Sequence, residues 1–385
     1  MREMLSTVYA LAGEIGPRGT GTSGEAAAAD YVAEELTALG IPIERYTFRA
    51  LPSQNGFPLV VNLLALLAAV LYPLDGPPLR WIATLLACST APLLWQVVRG
   101  FGGPLRPLLP KVTSRNVVAR LPSRGEPHQR VVVLAHLDTN RCRAVWQSGL
   151  AHRLRPLTYL TLGVLASQGV LYLIGALTGA AWPWWVGLLP VGYALGSVVA
   201  LVRDDRTPYT PGAHDNAAGV AVALELAARI AAQPLERTEV WLAFTGAEET
   251  DHAGLHALLR RDPSGLRDAT FIGLEGVGSG EIVYLARHGL CDPRSPPADL
   301  LAWVERVAAR HDVRPARMTM EDETTVLLRR GYRAICVAGR DPATGTLPRW
   351  HRPDDTPDAV SEGVMERAAG FVMALLREVD GTDDA

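Results

Sequence analysis

Histidine and carboxylate side chains recur directly after short apolar runs in this 385-residue sequence. His136 and Asp138 follow VVVLA, Glu248 and Glu249 follow WLAFTGA, and Glu275 follows TFIGL. The apolar runs are typical of strands in an open α/β sheet, and ligands bind beyond the carboxyl ends of such strands. We therefore expect these side chains to converge at one edge of one sheet.

Two further side chains complete the set. His351 follows AICVAG along a loop, and Asp215 lies in GAHDNAAG, where a Gly-flanked turn enters a helix. Imidazole and carboxylate ligands without Cys suit zinc, and also cobalt or manganese. Two His and three carboxylates are more than one tetrahedral zinc needs, but they suit two metals that share a bridging carboxylate. One member of the adjacent Glu248–Glu249 pair would then bind metal, and its neighbour would stay free as a general base.

Each motif also has an ordinary structural explanation when it is taken alone. A His after a buried strand is often structural, and a Glu pair before a helix complements the helix dipole. An Asp-Asn pair before a helix is commonly an N-cap. The order and placement of all the motifs together favour a metal site.

The segments that must position these residues alternate between strand and helix. Strands are predicted at residues 41–48, 117–121, 130–135, 239–244, 270–274 and 333–338, and helices at 23–40, 217–232, 298–310 and 362–379. This alternation predicts an α/β fold with a mostly parallel central sheet.

Four long segments carry no charged residue, namely 57–74, 81–98, 157–179 and 181–202. Each is about as long as the shortest helix that crosses a bilayer. They could instead be buried or lid-like hairpins of a soluble enzyme. We favour transmembrane hairpins at 57–98 and 157–202, inserted into a discontinuous catalytic domain of residues 1–56, 99–156 and 203–385.

Charge predicts the orientation of these hairpins. Their ends next to the polar segments are rich in basic residues, whereas the opposite loops carry only Arg80. The basic residues at those ends are Arg99, Arg106, Lys111, Arg153, Arg155, Arg203 and Arg206. By the positive-inside rule, we expect an integral protein of a bacterial-type cell membrane with a cytoplasmic catalytic domain. Four dispersed cysteines and an N-terminus without a signal-peptide core agree with this expectation.

The net charge of -3 and the absence of a basic stripe argue against nucleic acid as a partner. The same near-neutral composition gives no sign of an acidic, solvating tail.

The motifs together resemble metallopeptidase family twenty-eight, the co-catalytic zinc aminopeptidases related to glutamate carboxypeptidase and transferrin-receptor protease-like domains. The resemblance rests on HLD at 136–138, GAHDNAAG at 212–219, AEE at 247–249 and WHRPDDT at 350–356. The opening segment GPRGT at 16–20 is also similar, and the two apolar hairpins lie outside the resemblance. It implies a three-layer α/β sandwich of the zinc-exopeptidase type, with two Zn²⁺ per chain.

The resemblance also implies a role for each site residue. His136 would bind the first metal, oriented by Asp138, and Asp215 would bridge both metals. Glu249 and His351 would bind the second metal, with Glu248 as general base for the metal-activated water. The family usually has Asp where this chain has Glu275, which would bind the first metal. The segment MEDETT at 320–325 loosely resembles another family motif, through Asp322 or Glu323.

The expected activity is therefore aminopeptidase hydrolysis of peptides with a free N-terminus, at a membrane whose lipid surrounds the hairpins. A glutaminyl-cyclase-like acyl transfer on one zinc is an alternative, although His136 and the H-x-D spacing favour two metals. A non-catalytic binding protein is a further alternative, but such proteins usually lose ligands that are all present here. His252 and His256, spaced i and i+4, could in principle bind metal, but we expect them to be exposed or to pack.

Overall fold

The computed structural model describes residues 3–74, 76–100, 105–147 and 149–381, and the chain divides into two compact units. The first unit comprises Met1–Ala50, Lys111–His152 and Pro208–Ala385, and the second comprises Leu51–Pro110 and Arg153–Thr207. The predicted domain limits lie close to these boundaries. The assignment of a peptidase domain and transmembrane hairpins to the units stays a prediction.

The strands all belong to the first unit. They are β1 (Ile43–Ala50), β2 (Val112–Leu121), β3 (Gln129–His136), β4 (Thr238–Thr245), β5 (Thr270–Glu275), β6 (Glu281–His288), β7 (Arg314–Met318) and β8 (Arg333–Arg340). They form one sheet in the order β1-β2-β4-β3-β5-β8-β6-β7. The neighbours β4, β3, β5 and β8 run parallel at its centre. β1, β2 and β6 each pair antiparallel with an inner neighbour.

The described residues contain twelve α-helices. They are α1 (Met4–Val8), α2 (Ser23–Ala38), α3 (Gly56–Leu71), α4 (Pro77–Val98), α5 (Ala144–Gln147), α6 (Leu154–Thr178), α7 (Trp182–Asp204), α8 (Ala218–Ala232), α9 (Ala253–Arg261), α10 (Ala298–Ala308), α11 (Glu323–Arg329) and α12 (Glu362–Asp380). The predicted mixed α/β fold is confirmed, and its three-layer arrangement stays a prediction.

The central strands are buried along most of their length. In β3, residues 131–136 are all buried, and the pairs Val133↔Leu242 and His136↔Thr245 fix its register on β4. Strands that are covered on both faces read as continuous apolar runs, which is why VVVLA was readable as a strand. This register places the last residue of β3 beside the last residue of β4, at the edge where the site forms.

Two strands, β6 and β7, were missed by the sequence analysis. β6 reads EIVYLARH, with a charge near each end, and β7 is the short run RPARM at the sheet edge. Edge strands commonly carry charges and Pro because those residues discourage pairing with another chain. The polar composition of β7 therefore hides it from a hydrophobic-periodicity reading, whereas β6 is an inner strand with the apolar run IVYLA, and this explanation does not extend to it.

The second unit consists mainly of four helices. In it α4 packs on α3 and α6, and α7 also packs on α3 and α6, so the helices form a closed bundle. Its interior contains small and apolar side chains such as Val61, Ala65 and Leu165. Gln168 is buried there and donates from Nε2 to the Ala65 carbonyl at 2.8 Å.

The helices of this bundle are strongly apolar on the outside. Leu189 is 77 % exposed and Leu85 and Leu177 are each 68 % exposed. Within the described parts of the chain, three helices are long and apolar enough to cross a membrane: Pro77–Val98, Ala151–Thr178 and Trp182–Asp204. Gly56–Leu71 is apolar but shorter, with 16 residues.

The helix α11 begins at Asp322, whose buried carboxylate collects four donors. Its Oδ1 accepts from the Thr325 amide and hydroxyl, both at 2.7 Å, and lies 3.1 Å from His288 Nε2. The Thr324 hydroxyl also donates to it, at 2.9 Å to Oδ2. Burial would raise the pKa of Asp322, but His288 and these donors outweigh it, so the pKa lies below its usual range. The predicted candidate Asp322 is thus an N-cap.

We predict that Asp322→Asn lowers the stability of the first unit by about 1–3 kcal/mol near pH 7, because an amide cannot accept from all these donors. The ionised carboxylate stabilises the fold at every pH above the unfolded pKa of about 3.9. This contribution is lost as the pH falls through the lower folded pKa, so the difference from wild type should narrow below about pH 4.

Thermal unfolding followed by circular dichroism, at about pH 7 and about pH 3.5, measures this difference. Asp312→Asn is the matched control, because its side chain is 92 % exposed. Equal melting temperatures for Asp322→Asn and Asp312→Asn near pH 7 would contradict the prediction.

Candidate metal centre

The predicted ligands lie where the central parallel strands end. His136 is the last residue of β3, Glu275 is the last residue of β5, and Glu248–Glu249 follow β4 after a short turn. His351 lies in the loop that follows β8. Because β4, β3, β5 and β8 are adjacent and parallel, their ends meet at one edge of the sheet.

The first cluster of side chains joins His136, Asp215 and Glu275, all three of which are buried. His136 Nε2 lies 3.2 Å from Asp215 Oδ1 and 3.5 Å from Glu275 Oε2. One ligand atom from each residue lies within 4.8 Å of the others. The longer side chain of Glu275, compared with Asp, still reaches His136.

A second cluster joins Asp215, Glu249 and His351. His351 Nε2 lies 3.0 Å from Glu249 Oε1 and 3.1 Å from Asp215 Oδ2. Asp215 therefore presents one carboxylate oxygen to each cluster. Its position between the two histidines is the geometry that a bridging carboxylate requires.

Glu248 lies beside these clusters without belonging to either. It forms a third group with His136 and Glu249, again with ligand atoms within 4.8 Å. Its Oε1 lies 2.8 Å from His252 Nδ1. The Glu248 carboxylate thus lies near ligands of both clusters.

The charges of the site are unbalanced in a way that suits divalent cations. Burial raises the pKa of Glu275 well above its ordinary value, although His136 acts in the opposite direction. Burial lowers the pKa of His351, but Glu249 and Asp215 outweigh this and raise it to about 9. Four carboxylates face two imidazoles here, and buried charges without counter-charges are costly. Imidazole and carboxylate are also zinc's preferred non-thiolate ligands.

The spacing of the ligand atoms gives a further test of fit. Ligands held about 2.0–2.1 Å from a tetrahedral zinc lie about 3.3 Å from one another. The four histidine–carboxylate distances across the two clusters run from 3.0 to 3.5 Å. The residues present therefore fit zinc in size as well as in chemistry.

The Asp138 carboxylate links the strand β3 to the Glu248–Glu249 turn. Its Oδ1 accepts from the Glu248 amide at 2.9 Å, and its Oδ2 accepts from the Glu249 amide at 3.2 Å. His136 Nδ1 lies 3.8 Å from Asp138 Oδ1 but 3.0 Å from the Asp138 carbonyl oxygen. The backbone carbonyl of Asp138 thus orients the His136 ring, whereas the Asp138 carboxylate fixes the turn that carries Glu248 and Glu249.

Asp355 plays a similar part for the loop that carries Asp215. Its buried carboxylate accepts from the His214 amide at 2.7 Å and from the Asp215 amide at 3.1 Å. His214 accepts at Nδ1 from the Gly278 amide at 3.2 Å, and burial lowers the pKa of His214 to about 4. A neutral His214 avoids placing another positive charge beside Asp215.

Sequence reasoning missed Asn140, which contacts two residues of the second cluster, Glu249 and His351. Its Nδ2 donates to Glu249 Oε2 at 2.7 Å and lies 3.3 Å from His351 Nδ1. The ring of Trp146 meets the His351 ring edge-on, with centroids 4.5 Å apart. The position of Asn140, two residues after Asp138, was the available signal for it.

The guanidinium of Arg18, which is 1 % exposed, ties three segments together. Nε donates to the Leu137 carbonyl at 2.9 Å, and Nη2 donates to the Gly212 carbonyl at 2.8 Å. Nη1 reaches the carbonyl oxygens of Leu11, Gly16 and Pro211. Gly212 has a φ of 65°, and a side chain there would collide with Thr139 and Arg18. Arg18 therefore fixes the backbone that leads to Asp215 against the end of β3.

The other candidates named from the sequence lie outside these clusters. His256 and His252 belong to none of the three ligand groups found among the described residues. Glu323 is buried, and its Oε2 accepts from the Thr245 hydroxyl at 3.1 Å. His256 lies on α9 and His252 is the N-cap residue of that helix, and among the described residues the two form no ligand group.

Comparison with known protein families found a match, which covers most of the predicted ligands. Residues 204–376 match peptidase family M28. The resemblance to peptidase family M28 is confirmed. The matched segment contains Asp215, Glu248, Glu249, Glu275 and His351, whereas His136 precedes it. The comparison with curated proteins found no match.

The fold of this chain is similar to the folds of solved exopeptidases and glutaminyl cyclases. A leucine aminopeptidase precursor from Bacteroides thetaiotaomicron VPI-5482 is 15 % identical, with a TM-score of 0.58, covering 100 % of this chain and 97 % of that chain. A Zn-dependent exopeptidase from Parabacteroides distasonis ATCC 8503 is 15 % identical, with a TM-score of 0.56 and coverages of 97 % and 96 %. A glutaminyl cyclase from Bacteroides thetaiotaomicron is 15 % identical, with a TM-score of 0.57 and coverages of 100 % and 97 %. At this identity, the similarity shows the fold alone.

We predict that Arg18→Met weakens zinc binding by about tenfold or more, because the loop before Asp215 loses its attachment to β3. Zinc affinity is measured by competition with a chromophoric chelator. Arg124→Met is the matched control, since Arg124 is half exposed and pairs with Glu236 at the surface. Zinc affinity equal to that of the control, in a folded Arg18→Met protein, would contradict this role.

Proposed function

We propose that the chain is a membrane-associated, zinc-dependent exopeptidase that removes N-terminal residues from peptides. The observation that carries the proposal is the position of Asp215, with one oxygen in each of two ligand clusters and Glu248 beside both. The M28 match and the exopeptidase fold support a hydrolase.

The ligand clusters define which residues would hold the metals. His136, Asp215 and Glu275 would hold one zinc, and Asp215, Glu249 and His351 would hold the other, giving two per chain. Bound zinc would polarise the scissile carbonyl and lower the pKa of water at the site. Asn140 would keep the Glu249 carboxylate facing His351 through its 2.7 Å hydrogen bond.

Glu248 is the residue we assign to proton transfer. Its carboxylate takes a proton from the attacking water and gives it to the leaving amine, so that it returns to its starting state. Asp138 assists by fixing the Glu248 and Glu249 amides, which keeps both carboxylates directed at the ligand clusters. Since neither oxygen of Glu248 is needed as a metal ligand in this scheme, it remains free to act as a base.

Acyl transfer of the glutaminyl-cyclase type is the second candidate. Glutaminyl cyclases are among the solved structures with this fold, and Glu275 occupies a position where Asp is usual in the resembling family. The two reactions differ in their product, since cyclisation releases ammonia from an N-terminal glutamine whereas hydrolysis releases a free amino acid. A non-catalytic role is less well supported because every expected ligand and the base are present.

We infer that the second unit lies in a bilayer. Three of its helices have the length and composition of membrane spans, and large apolar side chains such as Leu189 and Trp185 are exposed on them. A water-facing surface of this kind would be unusual for a soluble protein. The basic residues that flank the apolar segments support a cytoplasmic position for the catalytic unit.

We predict that Glu248→Gln lowers kcat for an aminoacyl anilide by about 10²–10⁴-fold, because an amide cannot accept the proton. Zinc content should stay that of the wild type, since Glu248 belongs to neither cluster proposed as a metal site. Glu236→Gln is the control, because Glu236 is half exposed at the surface. Turnover of Glu248→Gln at the control's rate would rule out the assigned base.

Release of product from N-terminal glutamine peptides, measured in the same samples, separates the two candidate reactions. Free amino acid from many N-terminal residues supports the exopeptidase. Ammonia and a cyclised product from glutamine alone support the acyl transferase and overturn the hydrolytic assignment.

We predict that a cysteine at the end of α6 and one on the first unit lie on opposite sides of the membrane. In a Cys88→Ala background, Thr178→Cys should react with an impermeant maleimide in intact cells, whereas Glu126→Cys should react only after lysis. Both positions are exposed in the structure. Equal labelling of the two in intact cells would contradict the orientation, and release of the protein by alkaline carbonate would contradict membrane insertion.

A further inference from the structure

The segment that carries Glu248 and Glu249 has an unusual backbone. Ala247, Asp251 and His252 have φ values of 54°, 81° and 48°. Non-glycine residues rarely adopt this left-handed region, and they persist in it only where the surrounding structure holds them there. Such a cluster of costly conformations next to the site indicates that the turn holds a particular side chain in place.

The surroundings do impose this backbone. The Ala247 amide donates to Glu25 Oε1 at 3.0 Å, and the Ala253 amide donates to the Ala247 carbonyl at 2.9 Å. The His252 amide donates to the Glu248 carbonyl at 2.9 Å. At Gly254, a Cβ would lie 2.3 Å from the Gly246 carbonyl oxygen, so the two backbone segments are in close contact. The residues at the two ends of the turn are therefore in direct contact with each other.

The result of this turn is that the His252 side chain folds back on Glu248. His252 Nδ1 lies 2.8 Å from Glu248 Oε1, an ion-pair contact without the angle of a hydrogen bond, and the two side chains are only 12 % and 8 % exposed. The contact joins residues i and i+4, and the backbone between them is a turn rather than a helix, with Asp251 and His252 in the left-handed region.

A free glutamate side chain would have little reason to stay in this position. Glu323, a second buried carboxylate, interacts unfavourably with the charge of Glu248 and favourably with that of His252. Glu323 is itself held by the Thr245 hydroxyl. The imidazole of His252 thus offsets a repulsion that would otherwise favour other rotamers of Glu248.

A general base needs this kind of restraint. It must stand within about 2.6–3.2 Å of the proton it removes, and a displacement of about 1 Å can cost 10²-fold in rate. Glutamate has three rotatable side-chain bonds, so its carboxylate is poorly positioned without a partner. Asp138 fixes the backbone of Glu248, but it leaves the side chain free.

We propose that His252 is a positioning residue, which holds the Glu248 carboxylate toward the two ligand clusters through Nδ1. The expected effect on the catalytic rate rests on the proposed function. The contact between His252 and Glu248 is independent of that function. Its two consequences can be measured separately, one in the catalytic rate and one in stability without metal or substrate.

The kinetic test uses His252→Asn and His252→Gly. Asparagine and glycine both tolerate the left-handed conformation, so neither variant strains the turn. Asn places an amide donor close to the position of Nδ1, and Gly removes the side chain. With an aminoacyl anilide as substrate, we expect His252→Gly to lower kcat about 10²-fold with KM and zinc content unchanged, and His252→Asn to recover at least about tenfold of this loss.

The second test is a double-mutant cycle on the chelator-treated protein, with Glu248→Ala, His252→Gly and the double variant. If the side chains interact, the shift in melting temperature caused by Glu248→Ala should fall by about half or more in the His252→Gly background. This readout does not depend on activity. An absence of turnover in the wild type would therefore count against the proposed function. The cycle would still show whether the His252 and Glu248 side chains interact.

Two results would overturn the inference. Additive melting shifts would show that His252 does not engage Glu248. In an active wild type, equal kcat losses for His252→Asn and His252→Gly, accompanied by loss of zinc, would show that His252 maintains the turn rather than the base.

Discussion

The structure depends on holding four carboxylates close together in a buried place. Asp215, Glu248, Glu249 and Glu275 lie around two imidazoles at the end of a sheet, where water cannot screen their repulsion. Desolvated like charges raise one another's pKa and disfavour the charged state. The fold must therefore keep these groups in place until cations balance them, and much of the local architecture serves this purpose.

The restraint comes from hydrogen bonds between segments that are far apart in sequence. Asp138 anchors the Glu248–Glu249 turn to β3, and Asp355 anchors the Asp215 loop to the segment that carries His351. Arg18 joins the end of β3 to the backbone before Asp215. Each of these groups is buried and has its hydrogen bonds satisfied by backbone atoms, so that a displacement of one loop would leave charged groups without partners.

The ligands could be predicted from the sequence because their signal is local. A continuous apolar run marks a buried parallel strand, and the polar residue at its end marks the sheet edge, as for His136 and Glu275. Among the supporting residues, Asp138 shares this signal because it follows the same strand as His136, whereas Arg18 and His252 do not. Arg18 binds carbonyl oxygens of residues such as Leu137 and Gly212, and no periodicity or spacing connects positions more than 100 residues apart. His252 was readable only as a helical residue, because the left-handed turn that redirects it depends on the packing of Gly254 on Gly246.

Zinc-edge anomalous diffraction from crystals of the detergent-purified protein would test whether two zinc ions share the Asp215 carboxylate. We expect two zinc peaks about 3.5–4 Å apart, with Asp215 between them. His136 and Glu275 should lie beside one peak, and Glu249 and His351 beside the other. A single peak, or two peaks that Asp215 does not separate, would contradict the two-metal account and would leave the second cluster of carboxylates without the counter-charge that we assign to it.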